Sequence, residues 1–295
     1  MPESAVVDEP KVFGGLRGRD LLVLGVLALA LRLVHLNHTP HYDEFFHVLA
    51  AQSWLRDHDF CIAQCRQPYT RGLLFTWLVI GAFKLGGISL VVARIPAVLA
   101  GTMWVLAVAA WTGRVGGRSA GWLAGVLMLL DPGVLYLSQL ARFYGLHALL
   151  FWLGAAALYF ALTPGTGGRR RLGWLVACAV ALLLAFSLQV TTLIGVAALA
   201  LWAVLDQWRR IFDLLRHSRI AQVAAAIIIV IGVAVLIEFW ISGKLAGLWR
   251  TYRWSTLWTR SEADNPKYFF NFFLEQYGWL WSLLPIAGLV ALWSR

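Results

Sequence analysis

Charge is scarce in this sequence. Of its 295 residues only 14% are Asp, Glu, Lys or Arg, where a soluble domain carries about a quarter. With 60% hydrophobic residues, the composition excludes an ordinary soluble domain and points to a membrane protein. Acids are the scarcer sign, 15 Asp+Glu against 25 Lys+Arg. That surplus is no nucleic-acid footprint, because the basic residues fall in short clusters between apolar runs. Such clusters mark loops that stay in the cytoplasm and face anionic lipid. Nucleic acid is therefore not an expected partner; membrane lipid is. Cysteine is nearly lacking, and three residues make no disulfide framework. Cys178 sits in an apolar run and reads as packing, whereas Cys61 and Cys65 share one loop and leave a disulfide or two thiols open. Also missing is a small-x-small cleavage site after the first apolar run, which closes on Arg32 and His35. The run reads as a retained anchor, preceded by a cytoplasmic segment over residues 1–20 with Lys11, Arg17 and Arg19.

A helix needs roughly 17 to 25 mostly apolar residues to cross the hydrocarbon core. Candidate spans are 21–36, 89–111, 120–140, 146–162, 172–188, 190–205, 220–241 and 277–293, the pair within 172–205 being divided by Gln189, Thr191 and Thr192. The short apolar stretch 73–85 is settled by parity. If it crossed, two of the arginine-bearing loops, 113–118 and 163–171, would lie outside, against the positive-inside tendency. Lying in the interface, it puts these and the loop 207–219 in the cytoplasm with the N-terminus. The expected fold class is thus an all-α polytopic membrane protein of about eight spans, one transmembrane domain over 21–295. Its outer loops run over about 37–88, with two juxtamembrane helices, and 242–276. Residues 208–219 suit a basic helix on the inner leaflet. The aromatic and basic residues of 242–276, Trp254 and Arg253 among them, suit an interfacial belt, with substrate contact as the alternative.

The first outer loop opens His41-Tyr42-Asp43-Glu44-Phe45-Phe46-His47. On a helix Asp43 and His47 share a face, with Glu44 one turn from His47. A carboxylate pair beside a histidine at the membrane surface suits general-base chemistry, and equally suits a solvated helix start. A divalent metal is left open by the recurrence of His41, Glu44 and His47 at three-residue intervals, although the H-E-x-x-H order of a zinc protease is missing. Arg32, Arg94, Arg142 and Glu238 fall near the outer ends of spans, where charge is expensive. Three cations at headgroup depth suit a lipid phosphate, and snorkelling accounts for each equally well. Asp131, followed by Pro132 inside a span, reads as a helix-break cap or as an arginine partner.

The order of L-R-L-V-H-L, Y-D-E-F-F-H-V-L-A, R-Q-P-Y, F-K-L-G-G-I-S-L-V-V-A-R-I-P-A-V-L-A-G, G-R-S-A-G-W-L-A-G and L-S-Q-L-A-R-F-Y, over about residues 31–152, resembles the GT-C glycosyltransferases. Within that superfamily the pattern is similar to the branch of the protein O-mannosyltransferases and the lipid A aminoarabinose transferases. The resemblance implies a sugar donor on polyprenyl phosphate, an acceptor that is a glycan, lipid or protein, and inversion at the anomeric carbon. It also implies catalysis outside the cytoplasm at the plasma (inner) membrane. The family's first-loop acid falls on Asp43, with Glu44 beside it. Two departures stand out. The lysine that often precedes the loop proline is Gln67 here, which shifts phosphate binding toward Arg66 or Arg71, and the second acid often found after the third span is missing from Arg142-Phe143-Tyr144. Catalytic candidates are Asp43, Glu44 and His47; donor-phosphate candidates are Arg66, Arg71, Arg94 and Arg142. Family members are commonly longer, so truncation after Arg295 is also expected. The rival class is a non-catalytic carrier or flippase of lipid-phosphate sugar, with ionisable groups on broken helices near the midplane.

Overall fold

A computed structural model describes residues 15–62, 67–163, 165 and 167–217. The chain divides into two compact units, Met1–Ala200 and Leu201–Arg295. The second is described only over the last part of one helix, so the spans expected at 220–241 and 277–293, the outer loop 242–276, and Glu238 all lie outside the described residues. Described elements are α1 Gly18–Leu33, α2 Glu44–Asp57, β1 Cys61–Ile62, β2 Gln67–Pro68, α3 Leu73–Gly86, α4 Leu90–Gly116, α5 Arg118–Leu130, α6 Pro132–Gln139, α7 Tyr144–Leu162, α8 Gly168–Leu188 and α9 Thr192–His217. The strands pair antiparallel, Cys61 with Pro68 and Ile62 with Gln67. Among the described helices α4, α7 and α8 are long and apolar enough to cross a membrane. The protein is an integral membrane protein.

The span expected over 120–140 is two helices, α5 and α6, meeting at 60°. Pro132 supplies no N–H and pushes its predecessor out of helical geometry. Asp131 accordingly sits at φ −64°, ψ 119°, and its Oδ1 accepts from Val134 N–H at 2.7 Å, capping α6. The expected loop 113–118 shrinks to one residue, Gly117, at φ 90°, a left-handed value natural only for glycine. The helices on either side then pack closely. A Cβ on Gly121 would lie 2.7 Å from Gly113 Cα and 2.8 Å from Ala109 O.

One end of the first unit gathers the arginines. Arg118 at the start of α5 binds Asp20 at the start of α1 twice, at 2.7 and 2.8 Å. Arg114 lies over the Phe160 ring at 5.1 Å, and Phe160 meets Trp174 of α8 at 5.1 Å. The start of α1, the α4–α5 turn and the α7–α8 connection therefore share that end, together with exposed Arg17, Arg19 and Arg169 to Arg171.

At the opposite end α2 and α3 lie against the start of α4. Val48 and Ala51 of α2, Phe75, Val79, Ile80 and Phe83 of α3, Ala93 and Ala97 of α4, and Leu188 of α8 form one buried cluster. Burying side chains such as Phe75 and Val79 is worth about 1.5–3 kcal/mol each relative to water. Both ends of α3 stay on this side, since Gly72 abuts Phe143 and His47 while Gly86 abuts Val92. At 14 residues α3 is a shorter apolar helix than α4, α7 and α8.

Candidate functional site

The site is built on the first turn of α2 and the linker 140–143 between α6 and α7. Glu44 is fully buried, and so is Arg94 of α4. Arg94 Nε donates to Glu44 Oε1 and Nη2 to Oε2, both at 2.7 Å. Glu44 also accepts from His41 N–H at 2.8 Å and Ala141 N–H at 2.7 Å. The remaining Arg94 nitrogen, Nη1, donates to the Leu36 and His38 carbonyls at 2.6 and 3.1 Å. Burial alone would raise the Glu44 pKa; Arg94 and the two backbone donors outweigh it and hold the carboxyl below its ordinary value. One carboxylate thus ties together the start of α2, the α1–α2 connection, α4 and the linker.

Asp43, next to Glu44, takes the helix N-cap position without bonding the helix. Its carboxylate is 36% exposed and lies 3.6 Å from Arg142 Nη2, whose side chain is 12% exposed. Arg142 Nη1 donates to the Asp43 carbonyl at 3.2 Å and Nη2 to the Tyr144 hydroxyl at 3.2 Å, while its Nε is buried without a hydrogen-bond partner. A solvent-facing carboxylate beside an incompletely satisfied guanidinium can accept a proton and hold an anion in one place.

Behind this pair sits His47, fully buried. Edge contacts with Tyr69, Phe75 and Phe143, at centroid distances of 5.1 to 5.6 Å, enclose its ring. Its Nδ1 lies 2.9 Å from Thr76 Oγ1 and its Nε2 3.3 Å from the Tyr69 hydroxyl. Burial, with the Arg142 charge adding to it, lowers the pKa from 6.5 to about 3, so the ring is neutral at physiological pH. Tyr69 titrates above its ordinary value because it is buried, an effect that the Arg142 and Arg71 cations oppose.

The sequence candidates therefore separate. Asp43 and Arg142 come together at an accessible surface, and exposed Arg71 lies on the Tyr69 side of the same end. Glu44 and Arg94 are engaged with each other, and His47 is enclosed. Arg66 lies outside the described residues. Among the described residues no three His, Cys, Asp or Glu side chains are grouped to hold a metal ion. His41, Glu44 and His47 do not converge: Glu44 is saturated by its donors and His47 faces Thr76 and Tyr69. Cys61 is disulfide-bonded and Cys178 free and buried. Residue reading overlooked Tyr69, Thr76 and Tyr144. Tyr69 closes the R-Q-P-Y segment and was visible there, whereas Thr76, inside an apolar helix, gave no signal.

No protein-family model and no curated protein matches this sequence. Solved structures do. ArnT from Cupriavidus metallidurans in the apo state matches with a TM-score of 0.63 at 15% identity, over 90% of this chain and 49% of that one. The same protein bound to undecaprenyl phosphate matches with a TM-score of 0.56 at 20% identity, over 75% of this chain and 42% of that one. The chain spans about half the length of these structures, and over that half its fold is similar to that of ArnT.

Proposed function

We propose that the chain is a glycosyltransferase that moves a hexosyl or pentosyl group from a polyprenyl-phosphate donor to an acceptor hydroxyl at the extracytoplasmic membrane face. The observation that carries this reading is the exposed Asp43 carboxylate 3.6 Å from Arg142, on a fold that in ArnT has been solved with undecaprenyl phosphate. Nucleotide sugars are cytosolic, so a site on the outer face needs a lipid-linked donor. Two features favour that sidedness: the arginines gather at the end opposite the site, and the Cys61 disulfide suits an oxidising compartment.

In the proposed reaction Asp43 takes the proton of the acceptor hydroxyl as that oxygen attacks the anomeric carbon. The bond from that carbon to the phosphate oxygen breaks on the opposite face, which inverts the centre, and the electron pair leaves on the lipid phosphate. Arg142 and Arg71 stabilise the charge arriving there. Glu44 and Arg94 position rather than react. A carrier or flippase would use an ionisable group on a broken helix; here the carboxylate at the break, Asp131, caps α6.

The test is Asp43→Asn in the full chain, assayed with synthetic polyprenyl-phosphate sugars. The change keeps size and removes the base, so turnover should fall by about 10² to 10⁴ while undecaprenyl phosphate binding persists. Near-normal transfer by the folded variant would remove Asp43 as base, and no product from the unaltered chain with any donor would favour the carrier.

A further inference from the structure

His47 meets one hydroxyl at each ring nitrogen, Thr76 at Nδ1 and Tyr69 at Nε2. A neutral imidazole carries one N–H, so one hydroxyl must donate to the ring and the other accept from it. The two tautomers leave different atoms over. With the proton on Nδ1, Thr76 accepts, and the hydroxyl hydrogen of this fully buried side chain has no acceptor, since the ring is its one side-chain partner. An orphaned buried donor is costly. With the proton on Nε2, Thr76 donates to Nδ1 and Nε2–H donates to the Tyr69 oxygen. Every buried donor of the trio is then used except the phenol O–H, which is directed away from the ring.

The position of that phenol gives the leftover donor a use. Phe46 stacks on the Tyr69 ring at 6.0 Å and 3°, fixing the ring plane beside Asp43, three residues earlier on the same turn. Phe143, which closes the other side of His47, follows Arg142 directly in the chain, so the phenol and the Arg142 guanidinium share one wall. We propose that the Thr76, His47 and Tyr69 chain of hydrogen bonds holds the Tyr69 O–H as a donor to an anionic oxygen of the lipid-linked phosphate, alongside Arg142. This rests on the glycosyltransferase reading and adds to it a neutral donor at the departing phosphate. Burial keeps the phenol protonated, as a donor must be. It also suits a segment where Gln67 stands in place of a cation. Tyr69 would touch substrate; His47 and Thr76 are positioning residues.

The experiment compares the unaltered full chain with Tyr69→Phe, Thr76→Val and the double variant, in one detergent. Donor KM and kcat are measured separately, and binding of undecaprenyl phosphate is measured without acceptor. Tyr69→Phe keeps the ring and its stacking, and should weaken undecaprenyl phosphate binding and donor kcat/KM by about ten- to a hundredfold, the scale of one hydrogen bond to a charged group. The acceptor KM should stay unchanged. Thr76→Val should act in the same direction by a smaller factor, and the double variant should be no worse than Tyr69→Phe alone. A merely structural tyrosine would lower the melting temperature and leave donor affinity as it was, and that result overturns the inference. If the unaltered chain transfers no sugar, the glycosyltransferase reading fails by itself. Undecaprenyl phosphate binding then decides the Tyr69 donor: equal affinity of the unaltered chain and Tyr69→Phe overturns it, and weaker binding by the variant upholds it. Should Tyr69→Phe fail to fold, Thr76→Val decides by the same binding measurement.

Discussion

Glu44 and Arg94, fifty residues apart, form a two-bonded ion pair, both contacts 2.7 Å, with neither side chain exposed. What the pair does follows from its chain neighbours. Asp43 precedes Glu44, and Arg142 follows Ala141, whose N–H binds the same carboxylate at 2.7 Å. Glu44 thereby sets the spacing between Asp43 and Arg142, the ion pair of the site.

Removing one partner leaves the other as an uncompensated buried charge, which typically costs about 3–5 kcal/mol. Arg94→Ala and Glu44→Gln should each lower stability on that scale, read by thermal or denaturant unfolding in detergent. The double variant Glu44→Leu with Arg94→Met should recover much of the stability. It should not recover transfer, because His41 and Ala141 N–H still lose their acceptor and the Asp43 to Arg142 spacing is no longer held. Full activity in the double variant would mean that the pair has no positioning role.

Arg142 should behave differently from Arg94. Its side chain faces the site and its Nε has no partner, so Arg142→Ala should leave the fold largely intact while donor affinity drops about ten- to more than a hundredfold. Isotherms with undecaprenyl phosphate would show this. Unchanged binding would reduce Arg142 to a support for Tyr144 and the Asp43 carbonyl.

His47 predicts a pH dependence of stability. Its pKa in the folded chain is about 3, below the ordinary 6.5, so between these values the unfolded chain binds the extra proton. Stability is then fully present above pH 6.5 and is lost as pH falls toward 3. Glu44, held below the ordinary 4.5, adds its loss only at lower pH. Unfolding measured from pH 7 to 5 stays above the Glu44 range, and His47→Gln should reduce the slope there. An equal slope in both proteins would place the proton elsewhere.

Sidedness can be read by thiol labelling in intact cells, in a background without the three native cysteines. Thr39→Cys, exposed at the site end, should react with an impermeant reagent. Ser119→Cys, exposed beside the α4–α5 turn, should not. Reaction at residue 119 alone would reverse the orientation and with it the case for a lipid-linked donor.

Much of this protein could be read along the chain. Membrane character follows from composition, because a scarcity of charge over long apolar runs leaves no soluble way to bury them. Of the two readings that Asp131 allowed, helix-break cap and arginine partner, the cap is the one found, because proline lacks the N–H that would continue the helix. Asp43 and Glu44 were marked together as an acid pair at a helix start, and only the family resemblance put Asp43 first.

The division of labour among the candidates was decided only by tertiary structure. Glu44 differs from Asp43 by one CH₂ and one position, and nothing local says that its oxygens are taken by Arg94, His41 and Ala141. Likewise Arg94 and Arg142 both open apolar helical regions, yet one pairs with a fully buried carboxylate and the other with the partly exposed Asp43. His47 and Thr76 sit twenty-nine residues apart on two helices whose packing no periodicity encodes. Sequence determines which residues are charged, apolar or helix-breaking, since those are properties of each side chain and its near neighbours. Which charge is spent inside and which is left for a ligand depends on who faces whom across helices, and only the folded chain sets that.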